Sequence, residues 1–274
     1  MQPVTSAASS PNRLAFAGLL SMAVAMGFGR FAYTPILPAM VAGLHMSKAQ
    51  AGWLASANFA GYLAGALIGA APLKGGARNW LLGSLALSVA TTIGMGLSSD
   101  LWLLAALRFA GGLASAGVLV FASTLVLQAL AASGKAHLSA VHFAGVGVGV
   151  AVSGALVSGL EASGASWQLL WLGVGGLGAA MALVAALLLP ATAAAAAPRA
   201  ADLTPADRAA PRGFLKLVLA YGLFGFGYVV TATFLMVIVR GSPQARSVEP
   251  VVWVIVGLAA IPSVWAWTVA GRRI

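Results

Sequence analysis

The 274-residue sequence contains no cysteine and very few charges. The lack of cysteine excludes disulfides and thiolate metal sites. Only 7% of the residues are charged, whereas a soluble domain carries about 25%. The sequence shows no acid–base pair, metal-ligand cluster, nucleophile elbow or phosphate loop, so we expect neither an enzyme nor a cofactor. Apolar residues are abundant and make up 61% of the sequence. Several apolar runs are longer than the roughly 20 residues that a helix needs to cross a bilayer.

The net charge of +10 could suggest a nucleic-acid partner. The basic residues are scattered between apolar runs, however, and form no stripe or aromatic-interleaved patch. We therefore expect an all-α polytopic membrane protein, surrounded by the lipid bilayer and without a nucleic-acid partner.

Eight apolar runs are long enough to be membrane spans. They are Leu14–Leu37, Gln50–Ala71, Asn79–Ser98, Leu101–Leu130, Leu138–Leu160, Trp167–Leu189, Phe214–Val239 and Val251–Ala270. Residues 1–13 then form a tail, 14–189 a six-helix bundle, 190–213 a proline- and alanine-rich linker, and 214–274 a partial second bundle of two helices.

The distribution of lysine and arginine predicts the orientation in the membrane. With the N-terminus inside, the inner side holds ten basic residues and the outer side three, namely Lys48, Arg240 and Arg246. We therefore expect both termini in the cytoplasm. The predicted compartment is the inner (plasma) membrane of a bacterium.

Arg30 and Arg108 are the charges that fall at membrane depth. A charge there costs about 2.5–3.5 kcal/mol on insertion scales, and it usually marks a site or a pathway. At 1.5 Å per residue, Arg30 lies roughly 24 Å from the inner start of its span and Arg108 roughly 10 Å from the outer start. Both therefore belong to the outer half. The five acidic residues instead occupy loops or span ends: Asp100, Glu161, Asp202, Asp207 and Glu249.

A short internal repeat relates the first span to the seventh. Gly27-Phe28-Gly29 recurs as Gly225-Phe226-Gly227, 198 residues later, and Trp53 and Trp253 stand at a similar offset of 200. A three-residue match also arises by chance in glycine-rich helices. The second copy follows the linker directly, and the tryptophan pair has nearly the same offset. Both observations favour a repeat of two bundles, which is a known architecture of transporters.

The segment Gly29–Pro38, read as GRFAYTPILP, resembles the major facilitator superfamily and, within it, the YbfB/YjiJ-type branch. The resemblance covers the first two-thirds of a twelve-helix protein and implies a bundle of six helices plus two of an expected six. It also implies a transporter that moves a small solute by rocking two bundles. The sequence is then either a fragment of such a protein or an eight-helix remnant.

Two signatures of the superfamily are matched in part. The loop after the second span has Gly69, Lys74, Gly76 and Arg78 in place, but Leu73 stands where the family has a gating aspartate. A basic turn on the cytoplasmic side explains the same cations. The fifth span carries Gly145, Gly149 and Gly154 of an antiporter signature, with Val150 replacing its proline. For this span we favour close helix packing through small residues.

The fourth-span signature is matched well by Arg108 and Gly112. In the family this arginine is linked to proton coupling and to holding neighbouring helices. A buried arginine can also satisfy several backbone carbonyls with its five donors. Structural support, coupling and substrate contact all remain open for Arg108.

Further polar residues are candidates for substrate or coupling. They are Tyr33 and Thr34 beside Arg30, Asn58 and Tyr62 on one face of the second span, His142, and Tyr228 and Thr231 in the repeat. Each can instead form an interhelical hydrogen bond, and His142 can relay protons or bond a carbonyl. Pro35 and Pro38 are expected to break the outer end of the first span and permit a bend, and Gly27 and Gly29 to allow close approach just before them, as a gating helix requires. Pro38 can instead simply end the span.

Two arginines without a nearby carboxylate favour an anionic ligand. The sequence thus predicts a secondary transporter of a small solute, with an organic anion slightly favoured and a proton as a candidate coupling ion. The alternatives are a proton-coupled exporter of amphipathic compounds and a membrane scaffold that does not transport.

Overall fold

The computed structural model describes residues 10–71, 73–190 and 213–271, whose regular structure is entirely helical. Seven helices in these ranges are long and apolar enough to cross a membrane. An eighth, Ala77–Met95, has 19 residues but begins with the polar Arg78 and Asn79. The predicted all-α membrane fold with about eight spans is therefore confirmed. Residues 1–9 of the predicted tail and 191–212 of the predicted linker lie outside the described residues.

The helices are numbered along the chain. They are α1 (Pro11–Leu44), α2 (Lys48–Gly69), α3 (Ala77–Met95), α4 (Leu101–Ala132), α5 (Ser139–Ala162), α6 (Trp167–Leu188), α7 (Phe214–Gly241), α8 (Glu249–Ala260) and α9 (Ser263–Gly271). Most predicted limits differ from these bounds by a few residues. The exceptions are the outer end of α1 and the interior of the eighth span.

Side-chain caps at the predicted outer end start three of these helices. Ser47 and Gln50 form a capping box at α2, Asp100 accepts a hydrogen bond from the Leu103 amide at 2.7 Å, and Ser166 caps α6. Such caps satisfy backbone N–H groups that have no partner within the helix, each worth about 1 kcal/mol. They explain why these spans begin where the apolar runs begin.

The expectation that the prolines break the outer end of α1 is wrong. The helix runs through Pro35 and Pro38 to Leu44, seven residues beyond the predicted limit of Leu37. The irregular winding comes earlier, where Ala23–Phe31 forms a π-helix. A proline removes one backbone donor from the turn before it. The helix can continue when another group supplies that donor.

The eighth span is interrupted, whereas the sequence predicted one helix over Val251–Ala270. α8 ends at Ala260, and α9 begins at Ser263 after a turn at Ile261 and Pro262. Pro262 has no N–H to donate and its ring crowds the preceding turn, which explains the break.

Glycines bring the helices into backbone contact, as small residues do in membranes. A Cβ added at Gly27 of α1 would overlap the backbone of Gly149 of α5, and one at Gly112 of α4 would overlap the carbonyl of Asn58 of α2. The other glycines singled out in the sequence fall into two groups: close contacts at Gly29, Gly69, Gly145 and Gly154, and open surroundings at Gly76. The centre of the bundle is therefore too tight for larger residues.

The last helices join the six-helix bundle through α5 and α1. Gly257 of α8 packs against the backbone of Ala151 in α5, and the Thr34 hydroxyl of α1 donates to the Ala232 carbonyl of α7 at 2.9 Å. In the first half of α7, in contrast, Phe214, Tyr221 and other large side chains are exposed. The described contacts of α7 with the bundle thus lie in its second half.

We predict that Gly149→Val destabilises the protein, because the added side chain would meet the backbone of Ala23 and Gly27 in α1. Overpacking of this kind costs about 1–3 kcal/mol. Unfolding of the detergent-solubilised protein would measure the loss. Gly159→Val is the matched control on the same helix, since a Cβ there meets nothing within 4 Å. Equal losses for both variants would contradict the packing role.

Candidate functional site

Arg108 is buried, with 4% of its surface exposed, and is bound to the backbone of α1. Its guanidinium nitrogens donate to the carbonyls of Gly29 at 3.3 Å and Arg30 at 3.5 Å. Its cationic carbon lies 4.5 Å from the centre of the Tyr33 ring. Both carbonyls belong to the π-helical stretch Ala23–Phe31 of α1. Arg108 therefore ties α4 to the irregular part of α1.

Arg30 is partly buried and lies among aromatic rings. Its cationic carbon is 4.1 Å from the ring centre of Tyr62, 4.7 Å from that of Phe59 and 5.5 Å from that of Phe31. The Nε atom of Arg30 is buried and has no hydrogen-bond partner within the described residues. Ring faces attract a guanidinium without using its donors fully. Arg30 thus retains hydrogen-bonding capacity toward a ligand.

The remaining candidates on α1 and α2 hold the site together. Tyr33 donates to the Ala51 carbonyl at 2.9 Å, and Asn58 Nδ2 donates to the Arg108 carbonyl at 2.8 Å. The Oδ1 atom of Asn58 has no partner among the described residues. Arg30, Tyr33, Thr34, Asn58 and Arg108 together line a small polar cavity of about 10 Å³, which has room for about one water.

A much larger cavity of about 690 Å³ lies beside the small one. Phe31 and Ala232 belong to the walls of both cavities. Tyr228 and Thr231 of α7 line the larger cavity, so the structure brings these repeat-derived candidates to the neighbourhood of Arg30. Most of its other lining residues are apolar. They are Val146, Val150, Leu223, Phe224, Leu235, Trp253, Val256 and Ala260, with Gly227.

His142 and the basic turn lie apart from this site. The His142 ring is buried, with Nε2 3.1 Å from the Ser123 hydroxyl of α4, and it lines neither cavity. At the turn after α2, the Lys74 carbonyl accepts a hydrogen bond from the Trp80 indole at 2.9 Å. Among the described residues, no ion pair involves Lys74 or Arg78.

An ion cluster at the predicted outer end was missed from the sequence. Arg240 of α7 pairs with Glu249 of α8 and, at 3.2 Å, with Glu161 of α5. Nearby, the Ser158 hydroxyl donates to the Pro250 carbonyl at 2.8 Å. The sequence signal was available, since all three charges fall at span ends that the loop charges assign to the same side. The cluster joins the six-helix bundle to the last helices.

Two substitutions at Tyr33 separate its hydrogen bond from its ring. We predict that Tyr33→Phe lowers the free energy of unfolding by about 0.5–1.5 kcal/mol, because the hydrogen bond from the Tyr33 hydroxyl to the Ala51 carbonyl is lost. Tyr33→Leu also removes the ring under Arg108, and the loss should exceed that of Tyr33→Phe by about 1 kcal/mol or more. Denaturant titration of the two variants measures both steps. Equal losses would show that the ring contributes nothing.

Comparison with known proteins fits the membrane fold. The family model described as uncharacterised MFS-type transporter YbfB matches residues 22–274. Among solved structures, the chain is similar to a bacterial homolog of the human lysosomal transporter Spinster, in an inward-facing and unoccupied conformation, with a TM-score of 0.63 and 17% identity. That similarity covers 95% of this chain and 61% of the other, so the chain spans about three-fifths of that protein's length.

No curated protein matches the chain significantly. The similarity to the solved structure supports the fold, and the family match covers nearly the whole chain. The predicted superfamily and branch are both confirmed, and the matched family is one of MFS-type transporters. The chain belongs to the family of YbfB-type MFS transporters.

Proposed function

We propose that the protein is a secondary active transporter that carries a small organic anion by alternating access. The observation that supports this is Arg30, a guanidinium in the membrane-embedded bundle with a buried Nε that lacks a partner among the described residues. A carboxylate or a similar anion matches the planar guanidinium fork through paired hydrogen bonds. Arg30 is therefore the substrate-binding residue of the proposal.

Arg108 has a supporting role in this proposal. Its donors face the carbonyls of α1 and its ring contact is Tyr33, so it holds the backbone that carries Arg30. Its charge also keeps the site positive, because the carboxylates of Glu161 and Glu249 lie in the separate outer cluster. An entering anion then supplies the negative charge that both arginines lack.

The contacts of α7 and α8 favour alternating access. Thr34–Ala232, Ser158–Pro250 and the Arg240 cluster all join these helices to the six-helix bundle toward the predicted outer end. The opposite half of α7 has large exposed side chains, among them Tyr221 and Phe224. In the predicted orientation, with both termini in the cytoplasm of a bacterial cell, this is the arrangement of a carrier closed to the outside.

A coupling proton remains a prediction of the sequence. His142 is the candidate relay, and its buried ring faces Ser123 at a distance from the Arg30 site. In the proposal its contribution is to coupling, while anion binding rests on Arg30.

We predict that Arg30→Ala lowers the transport efficiency, kcat/KM, for organic anions by about ten- to a hundredfold, because a hydrogen bond to a charged group is worth about 1.5–3 kcal/mol. Arg30→Lys keeps the positive charge but lacks the planar guanidinium, so its kcat/KM should lie between those of the wild type and Arg30→Ala. Currents on proteoliposomes containing the full-length protein, with acetate, succinate and 1-naphthylacetate as substrates, provide the measurement. Lys48→Gln is the control, since it removes one exposed cation outside the two cavities. Unchanged transport by Arg30→Ala at normal expression would overturn the assignment.

The cluster of Arg240, Glu161 and Glu249 leads to a second prediction. Because the sequence contains no cysteine, a single introduced cysteine can be labelled specifically. A single cysteine at Met236, which is buried beside Arg240 and Glu161, reports the opening of the outer end. We predict that adding Arg240→Gln increases its labelling by an impermeant maleimide about fivefold, the shift that about 1 kcal/mol produces.

Two controls make this labelling experiment specific. Lys48→Gln in the same Met236→Cys background removes a cation at the same predicted end without touching the cluster. Ser99→Cys, in the exposed loop before α4, gives the rate for an open position and checks the predicted orientation. A labelling rate that is the same with and without Arg240 would contradict the gating role of the cluster.

A further inference from the structure

The small polar cavity and the large apolar cavity are neighbours that differ in size and chemistry. The polar cavity of about 10 Å³ contains Arg30, Asn58 and Arg108. The apolar cavity of about 690 Å³ lies on the other side of Phe31 and Ala232, which line both. The polar cavity has room for about one water, so it can admit no more than one oxygen of a ligand's charged end, and the rest of the ligand must lie past Phe31.

We propose that the transported anion is amphipathic, with its carboxylate at Arg30 and an aromatic or branched apolar body in the large cavity. This inference rests on the proposed function and adds the class of substrate. A small hydrophilic anion such as succinate would leave the large cavity unfilled. A neutral or cationic apolar compound would leave the guanidinium of Arg30 without an anionic partner.

The walls of the large cavity fit an aromatic body. Phe31, Phe224, Tyr228 and Trp253 supply ring surfaces, and the volume lies within the range of about 300–1,000 Å³ typical of small-molecule sites. Aromatic rings prefer offset or edge-on contact with other rings. A ligand with one or two fused rings can therefore bury most of its apolar surface between α1, α5, α7 and α8.

The large cavity also contains polar groups with unused capacity. The Trp253 side chain is 3% exposed, and its indole Nε1 has no hydrogen-bond partner within the described residues. A buried donor without a partner carries a free-energy cost, which an acceptor on a bound ligand removes. The Thr231 hydroxyl, which donates to its own helix at Gly227, can accept from a ligand. These two groups belong to residues of the cavity wall and support the proposal of a ligand there.

Gly227 gives a direct test of the cavity. It lines the apolar cavity, and a Cβ added there meets nothing within 4 Å. Gly227→Leu therefore adds a side chain at the cavity wall, and its first carbon meets no atom of the protein within 4 Å. Gly222→Leu is the matched control, because Gly222 lies on the same helix, also has open space around it and does not line the cavity.

The experiment is titration calorimetry of the detergent-solubilised full-length protein with four probes. They are acetate, succinate, 1-naphthylacetate and its neutral analogue 1-naphthylacetamide. We expect 1-naphthylacetate to bind at least about tenfold more tightly than acetate, since each buried methylene adds about fourfold. We expect Gly227→Leu to weaken 1-naphthylacetate about tenfold and to leave acetate unchanged, while Gly222→Leu changes neither.

The outcomes distinguish this inference from the proposed function. If acetate or succinate binds as tightly as 1-naphthylacetate and depends on Arg30, the amphipathic class is wrong and the anion transporter stands. If 1-naphthylacetamide binds as tightly as 1-naphthylacetate, the anionic substrate itself is wrong. If Gly227→Leu and Gly222→Leu behave alike, or if 1-naphthylacetate does not bind, the assignment of the large cavity is overturned.

Discussion

The site depends on one constraint, a buried arginine that must find partners inside the membrane. Arg108 has no carboxylate beside it among the described residues, and it donates to the carbonyls of Gly29 and Arg30. Both carbonyls belong to the π-helical stretch Ala23–Phe31, so the irregular part of α1 supplies the acceptors that the guanidinium needs. The same contact fixes the stretch of α1 that carries Arg30. Loss of the α4–α1 contact would therefore disturb the proposed binding residue even though Arg108 need not touch the substrate.

The position of Thr34 relates the site to the internal repeat. Thr34 and Ala232 are equivalent positions when Gly27-Phe28-Gly29 is aligned with Gly225-Phe226-Gly227, and the Thr34 hydroxyl bonds the Ala232 carbonyl. Two equivalent residues can touch only near the axis that relates the two repeats. In transporters built from repeats, substrate sites lie at the repeat interface near the bilayer midplane. Under the predicted repeat, Arg30, four residues before Thr34, lies about one helical turn from this axis.

The sequence predicted the spans, because long apolar runs determine them, and the fixed rise per residue placed the two arginines at a comparable level, where Arg108 contacts the backbone of Arg30. It placed Asn58 and Tyr62 on one face of α2, and both face the arginines. It did not predict the continuation of α1 through Pro38 or the break before Ser263, since the effect of a proline depends on which group replaces its missing donor. The Arg240 cluster was also missed. Its three charges come from different helices, and their proximity is a result of packing.

The charges along the proposed path change sign between the substrate site and the predicted outer end. The outer cluster contains two carboxylates and one guanidinium, so it is net negative, whereas Arg30 and Arg108 make the inner site positive. An anion at Arg30 is thus separated from the predicted outside by a negative region while Arg240 bridges Glu161 and Glu249. Opening that end must separate α7 and α8 from α5, which moves at least one carboxylate away from the bridge. In the proposed mechanism this movement separates Glu161 from Arg240 without changing the net charge of the cluster, so the cluster holds the outer end closed and its negative charge faces the anion both before and after opening.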